Sequence, residues 1–236
     1  MVKDILLFSC GVDSLSCWFY MNKPNMIYVD MQTKYSKKEI ITIKKLERMI
    51  EGFRVKVIND INLGQFEVGG KAFVPYINLV LACIAANYGD RVIIGGIEDD
   101  CVEDKNPEAF EAMTKCMQKI SKPGKHIEVY SPFWKMSKSE IIKWMLNNVN
   151  NAEKYLRTSV SCYNENEGQC GNCPSCFRKA IAFSACDLNL DFYRNDVTKC
   201  ELAKDYIEKM LSKNNPYTEK RTNETLKVLK KWGWKI

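Results

Sequence analysis

The chain has 236 residues, 46% of them hydrophobic, and 35 basic against 29 acidic side chains give a net charge of +6. That size and apolar share suffice for an ordinary packed core, which excludes a disordered chain and, despite 11 cysteines, a small scaffold held only by disulfides. No run approaches the roughly 18 apolar residues needed to span a bilayer, and Met1 to Asp4 followed by the apolar run Ile5 to Phe8 is not the pattern of a secretory signal. The expectation is a cytoplasmic protein with no membrane partner and reduced thiols.

Five short apolar runs read as strands: DILLF (4–8), NMIYVD (25–30), RVKVI (54–58), DRVIIGG (90–96) and HIEVYSPF (126–133). Helix-period segments run from about Ser14 to Met21, Lys37 to Glu51, Pro75 to Tyr88, Pro107 to Ile120 and Lys138 to Asn147. Ser137 and Glu140 have capping-box spacing at the start of the last. Strand and helix alternating in this way predict the α/β class: a doubly wound parallel five-stranded sheet whose ligands sit beyond the carboxyl ends of the strands. The length divides into an α/β domain over 1–155, a metal-binding segment over 156–190 packed on it, and a helical extension over 191–236. No internal repeat or low-complexity linker interrupts this order.

The first strand leads into SCGVDS, Ser9 to Ser14, directly before a helix. Free amides and the positive end of the helix dipole make such a place an anion site, and the Ser9 and Ser14 hydroxyls can donate to phosphate oxygens. Gly11 permits close backbone approach. Asp13 beside phosphates calls for a bridging divalent cation, so magnesium is implied. The G-x-x-x-x-G-K-[ST] pattern is absent, which argues against ordinary γ-phosphate transfer. After the fourth strand Glu98, Asp99, Asp100, Glu103 and Asp104 crowd one loop on the ligand side of the sheet.

The only histidine, His126, precedes the fifth strand after PGK and reads as a surface residue. Lysines in the tail alternate with acids such as Glu201, Asp205 and Glu224, the pattern of a solvated helix face more than of a nucleic-acid surface. Trp232 and Trp234 are placed to pack the tail onto the body or onto a second subunit.

The segment SCYNENEGQCGNCPSC sets Cys162, Cys170, Cys173 and Cys176 at C-x7-C-x2-C-x2-C spacing. Four thiolates so spaced suit a tetrahedral zinc, with Gly171 free to take positive φ and Pro174 stiffening the following turn. A four-cysteine shell keeps no open position for water, so the zinc is expected to be structural.

Together these features resemble the PP-loop ATPases, whose pyrophosphate loop reads SGGxDS, and within them the 7-cyano-7-deazaguanine synthase family. The likeness runs from Ile5 to about Phe183 and includes Asp30, VPYIN (74–78), VIIGGIEDD (92–100), SPFWKMSKSEI (131–141) and CGNCPSCFRKAIAF (170–183). The resemblance implies a ligase that joins ammonia to 7-carboxy-7-deazaguanine, splits ATP to AMP and pyrophosphate, and then dehydrates the amide to a nitrile in queuosine-type biosynthesis. It implies a small-molecule substrate, no nucleic-acid partner, zinc plus ATP with magnesium, and a homodimer. Carried over residue by residue, it places the nucleotide against Phe8, Ser9, Cys10, Gly11, Val12, Asp13, Ser14, Leu15, Ser16, Cys17, Trp18 and Asp30. Asp13, Ser14 and Lys138 are the implied catalytic residues, and Asn78, Glu98, Asp99 and Asp104 the candidates for substrate contact.

Departures from the family pattern leave alternatives open. Cys10 stands at the first loop glycine, Ile77 at the arginine before Asn78, and DMQTKY (30–35) in place of DYGQRH. Isoleucine cannot grip a carboxylate with paired hydrogen bonds as arginine does. The chain therefore either runs the full reaction with rearranged contacts, stops at the amide, or joins the activated acid to another amine. A tRNA-modifying PP-loop enzyme with an iron-sulfur cluster, and a zinc module binding nucleic acid through its tail, are the readings from other classes.

Overall fold

The computed structural model describes residues 2–68, 73–165 and 168–236. Five parallel strands, β1 (Asp4–Leu7), β2 (Asn25–Val29), β3 (Val55–Ile58), β4 (Arg91–Ile94) and β5 (Glu128–Tyr130), lie in the order β3-β2-β1-β4-β5. The chain winds outward from β1 through β2 to β3, then returns to the other side of β1 with β4. The order reverses between β1 and β4, so their connections diverge at the carboxyl ends and leave a crevice there.

Alternation along the strands divides the core. Leu6, Phe8, Tyr28 and Ile93 point to one face, where they meet Trp18, Phe53, Phe133, Ile141 and Phe177. Ile5, Leu7, Ile27, Val29, Val92, Ile94 and Val129 point to the other and meet Ala82, Ala85, Phe110, Met113 and Met117. Helices α1 (Val12–Tyr20), α2 (Ser36–Met49) and α5 (Lys138–Asn148) serve the first face; α3 (Ile77–Ala85) and α4 (Pro107–Ile120) cover the second. Both faces are covered, which is why the strands read as nearly continuous apolar runs.

Local signals set the helix starts. Asn106 accepts from the Ala109 amide at 2.9 Å with Pro107 in the first turn of α4, and Ser137 and Glu140 form the expected capping box on α5. The third helix begins at Ile77 instead of Pro75, because Tyr76 turns the chain through a left-handed conformation at φ 59°. The first begins at Val12, two residues earlier than the apolar period suggests.

Beyond α5 come α6 (Ala152–Thr158), α7 (Pro174–Ser184), α8 (Leu202–Leu211) and α9 (Glu219–Lys231). Phe177 of α7 and Val228 and Leu229 of α9 belong to the same buried cluster as Leu6 of β1. Trp232 donates to the Ser184 hydroxyl at 3.1 Å and Trp234 to the Thr198 carbonyl at 2.8 Å, so both tryptophans fasten the tail to its own chain. Among the described residues no helix is long and apolar enough to cross a membrane.

Phe53 is fully buried with its ring edge-on to Phe8 and Trp18, at 5.3 Å and 4.8 Å between centroids. Phe53→Ala is expected to cost about 3–5 kcal/mol, through lost transfer energy and the cavity left behind. Urea unfolding checks this as a lower midpoint at unchanged slope.

Candidate active site and cysteine cluster

The turn after β1 is built by its own side chains. Ser14 is buried; its hydroxyl accepts from the Ser9 amide and hydroxyl, each at 3.2 Å, and donates to the Gly11 carbonyl at 3.3 Å. The Ser14 hydroxyl thus closes the loop on itself, while Ser9 stays exposed. The left-handed residue is Cys10, at φ 59°, and Gly11 is extended at φ −77°. Such a conformation costs a side-chain-bearing residue about 1–2 kcal/mol. The Cys10 thiol is enclosed and donates to the Glu39 carbonyl at 3.3 Å, and burial pushes its pKa well up, so it is a packed thiol and no nucleophile. Gly95, just past β4, backs onto this turn: a Cβ there would lie 3.0 Å from the Ser14 amide nitrogen.

Of the residues expected along the nucleotide segment, Phe8, Cys10, Val12, Leu15, Ser16, Cys17 and Trp18 are all buried. Leu15, Cys17 and Trp18 lie on the core side of α1, because a helix that carries a ligand at its first turn must bury its following turns against the sheet. Of these seven, Val12 lines the cleft described next. Asp30, at the end of β2, accepts from the Gln32 amide at 2.9 Å and does not line the cleft described next.

A cleft of about 310 Å³ opens where the strand order reverses, lined by Ser9, Gly11 and Asp13 of the loop and by residues from several other parts of the chain. Glu39 comes from α2, Ile77 and Asn78 from α3, Asp100 and Lys105 from the segment after β4, Lys138 from α5, and Arg178 and Lys179 from α7. Lys138 reaches Asp13 across 125 residues of sequence, with Nζ 2.7 Å from Oδ1. Lys105 is paired with Asp100 at 2.7 Å. Burial alone would raise the Asp100 carboxyl, but Lys105, Lys138 and Arg178 outweigh it and hold it well below the usual range. Lys179 donates to the Ser159 carbonyl at 2.6 Å and its hydroxyl at 3.1 Å, and burial lowers its pKa to about 7. Burial likewise raises Glu39 to about 7, against the opposing pull of the Tyr28 hydroxyl, which donates to it at 2.7 Å.

The expected substrate contacts are redistributed. Asp104 accepts from the Asn78 amide at 3.1 Å and from its side chain at 2.8 Å, so these two satisfy each other at the start of α3. Glu98 is exposed and lines no part of the cleft. Asp99 turns to the tail, accepting from the Thr218 hydroxyl at 2.5 Å, while Arg221 donates to its carbonyl. Asp100 is the acid of that loop that reaches the cleft. The same tail segment holds the start of α5, where Glu224 accepts from Ser139 and Lys220 pairs with Glu140. Sequence reasoning missed Glu39, Lys105, Arg178 and Lys179 as cleft residues; only Lys179 carries a sequence signal, a lysine within an otherwise apolar helix face. His126 is exposed, away from all of this.

The sulfur atoms of Cys162, Cys170, Cys173 and Cys176 lie within 4.8 Å of one another. Those of Cys170 and Cys176 are 3.9 Å apart, close to the edge of a tetrahedron with metal–sulfur bonds of about 2.3 Å. Backbone amides of Cys170, Asn172 and Cys176 donate to the sulfurs of Cys162, Cys170 and Cys173 at 3.3–3.4 Å, as expected around thiolates. The donor set fits one metal ion. Gly171 makes the turn at φ 81°, and a Cβ on it would sit 2.5 Å from the Asn195 carbonyl oxygen. Cys173 caps α7, and the run 160–163 leading into Cys162 forms a wall of the cleft, so the cluster and the cleft share one piece of backbone. A more open trough of about 850 Å³ borders the cysteines, but no residue of the 9–14 loop faces it.

The family model described as queuosine biosynthesis protein QueC matches residues 59–187. The chain is similar to a 7-cyano-7-deazaguanine synthase from Acetivibrio thermocellus, at 25% identity over 213 residues, covering 78% of this chain and 93% of that protein. It is similar to another protein of that name from Chlorobaculum parvum, at 24% identity, covering 88% of this chain and all of that one. Among solved structures it is similar to the U34-tRNA thiolase NcsA from Methanococcus maripaludis with its [4Fe-4S] cluster, at a TM-score of 0.42 and 14% identity, covering 98% of this chain and 71% of that one.

Gly171→Ala forces a left-handed alanine against a carbonyl, so metal content and thermal midpoint are both expected to fall, read by elemental analysis and by melting. For Glu39 the folded chain keeps its proton up to about pH 7, whereas the unfolded side chain loses it near 4.5. Its contribution to stability is therefore greatest below pH 4.5 and falls as pH rises toward 7. Glu39→Gln is expected to flatten that part of the stability profile, measured as urea midpoints between pH 4.5 and 8.

Proposed function

Because the chain belongs to the queuosine biosynthesis protein QueC family, we propose that it is an ATP-dependent ligase converting 7-carboxy-7-deazaguanine and ammonia to 7-cyano-7-deazaguanine. On this reading AMP is transferred to the carboxylate oxygen and pyrophosphate leaves; ammonia displaces AMP to give the amide. A second transfer, to the amide oxygen, lets that oxygen depart with AMP as the nitrile forms. The protein's part is to align the two substrates and to meet negative charge as it moves from the α-phosphate onto pyrophosphate.

The observation that carries the reading is the ion pair of Asp13 and Lys138 at the mouth of the crevice between β1 and β4. The loop amides and Ser9 stand at the amino end of α1, where phosphate is favoured. Lys138, paired with Asp13 at the cleft mouth, would neutralise the leaving pyrophosphate. Asp13 would hold the magnesium with phosphate oxygens. Zinc is the metal proposed for the four cysteines. The close approach of all four sulfurs suits a single ion, whereas the thiolates of a four-iron cluster each bind a separate iron and stand farther apart. Its part is to fix the 160–163 wall and the first turn of α7, just before the turn that carries Arg178 and Lys179.

The decisive incubation supplies ATP, magnesium, ammonium and the deazaguanine acid, with products weighed by mass spectrometry. Nitrile with AMP is the expected outcome; an amide that accumulates selects the shortened reaction, and ADP as the sole nucleotide product rejects the reading. Asp13→Asn is expected to reduce AMP formation by about 100-fold, the scale of losing one positioned charge in a catalytic site, with metal content unchanged. Purified protein is expected to be colourless, with one zinc per chain.

A further inference from the structure

Among the described residues, Arg178 is the cation of the cleft that no protein group answers. Lys138 is closed on Asp13, Lys105 on Asp100, and Lys179 on Ser159, but the Arg178 guanidinium has no hydrogen-bond or ion-pair partner among the described residues. It stands in the second turn of α7, just after the cysteine turn, and is only partly exposed. It faces both the cleft and a small cavity behind it lined by Phe177, Tyr206 and Arg221. The carboxylates of Asp100 and Asp13 lie near enough to favour its charge without accepting from it. A guanidinium carries five donors in a planar fork, and holding that fork half out of water with nothing to donate to is costly unless a ligand completes it.

The shape of the cleft says which ligand. Phosphate already has the loop amides and Lys138, at the start of α1 and α5; Arg178 comes from a different element. Val74, Ile77, Leu81 and Val102 supply apolar surface and no charge to the same cleft, a surface suited to a flat ring. We propose that Arg178 determines acceptor specificity by gripping the substrate's carboxylate with two parallel N–H···O bonds, while the ring lies against those aliphatic side chains. The proposal rests on the acid-activating reading above. It adds a consequence that reading does not contain: the grip exists for the acid and is lost at the neutral amide, so the first half of the reaction depends on Arg178 and the second half does not.

Calorimetry on the metal-loaded full chain tests this with three probes: the deazaguanine 7-carboxylate, its 7-carboxamide, and a non-hydrolysable ATP analogue with magnesium. With Arg178→Gln the carboxylate is expected to bind about 10- to 100-fold more weakly, the scale of hydrogen bonds to a charged group, while the amide and the nucleotide analogue change less than about threefold. Arg178→Lys, which keeps the charge and guards against a folding defect, is expected to restore only part of the loss, since an ammonium cannot bond both oxygens in parallel. Carboxylate affinity unchanged in the glutamine variant, acid and amide weakened alike, or a loss confined to the nucleotide analogue would each overturn the assignment. A wild-type protein that binds neither acid nor amide overturns the reading beneath it as well, and that result is seen in the wild-type arm alone.

Discussion

Lys138 held against Asp13 is the interaction on which the rest of the site depends. Both groups are mostly withdrawn from water, and either one alone in that crevice would be an uncompensated charge, a far costlier state than the pair. The pair fixes the loop after β1 to the first turn of α5, and with it the width of the crevice that the reversal of strand order opens. It is also poised to exchange partners, since a cation can take the carboxylate and an anion the ammonium. A closed pair of this kind adds no net charge to the cleft and still presents both signs there.

Two supports keep that arrangement in place. One is the cysteine cluster, whose four sulfurs sit on a backbone stretch that forms a cleft wall and caps α7. The other is the tail: α9 and the residue before it bond Asp99 in the acidic loop and Ser139 and Glu140 at the start of α5. The acidic loop and the Lys138 turn face each other across the small cavity, so the tail sets the distance between Asp100 and Lys138 without touching the open cleft. The tryptophans anchor this helix by donating to Ser184 and Thr198.

Strain at Cys10 shows how a loop tolerates a residue that its backbone disfavours. The left-handed turn at φ 59° suits glycine, and the cost of a side chain there is offset by complete burial of the thiol and by its bond to the Glu39 carbonyl. The same contact places α2 against the loop, which brings Glu39 into the cleft. A substitution that looks like a defect in a motif is thus part of the packing that seats a neighbouring helix.

The residues themselves determined the strands, because β-branched runs bounded by polar residues have little other use. They also determined the capping box at Ser137, the loop at 9–14 and the tetrathiolate spacing, since each is a local pattern in which a few neighbouring side chains satisfy nearby amides or one ion. Trp232 and Trp234 could be seen as anchors, though not what they would hold. What only the tertiary structure decided is how charges from distant segments pair. Asn78 and Asp104, far apart in the chain, hydrogen-bond each other, with Asn78 still on the cleft wall; Asp100, indistinguishable from its acidic neighbours in the chain, is the one turned inward. Lys105, Lys179 and Arg178 join the site because strand order brings the loop after β4 and the start of α7 to the same crevice. Hydrogen bonding between neighbours in sequence is encoded by spacing. Electrostatic pairing across a hundred residues is set by the packing that first brings those residues together.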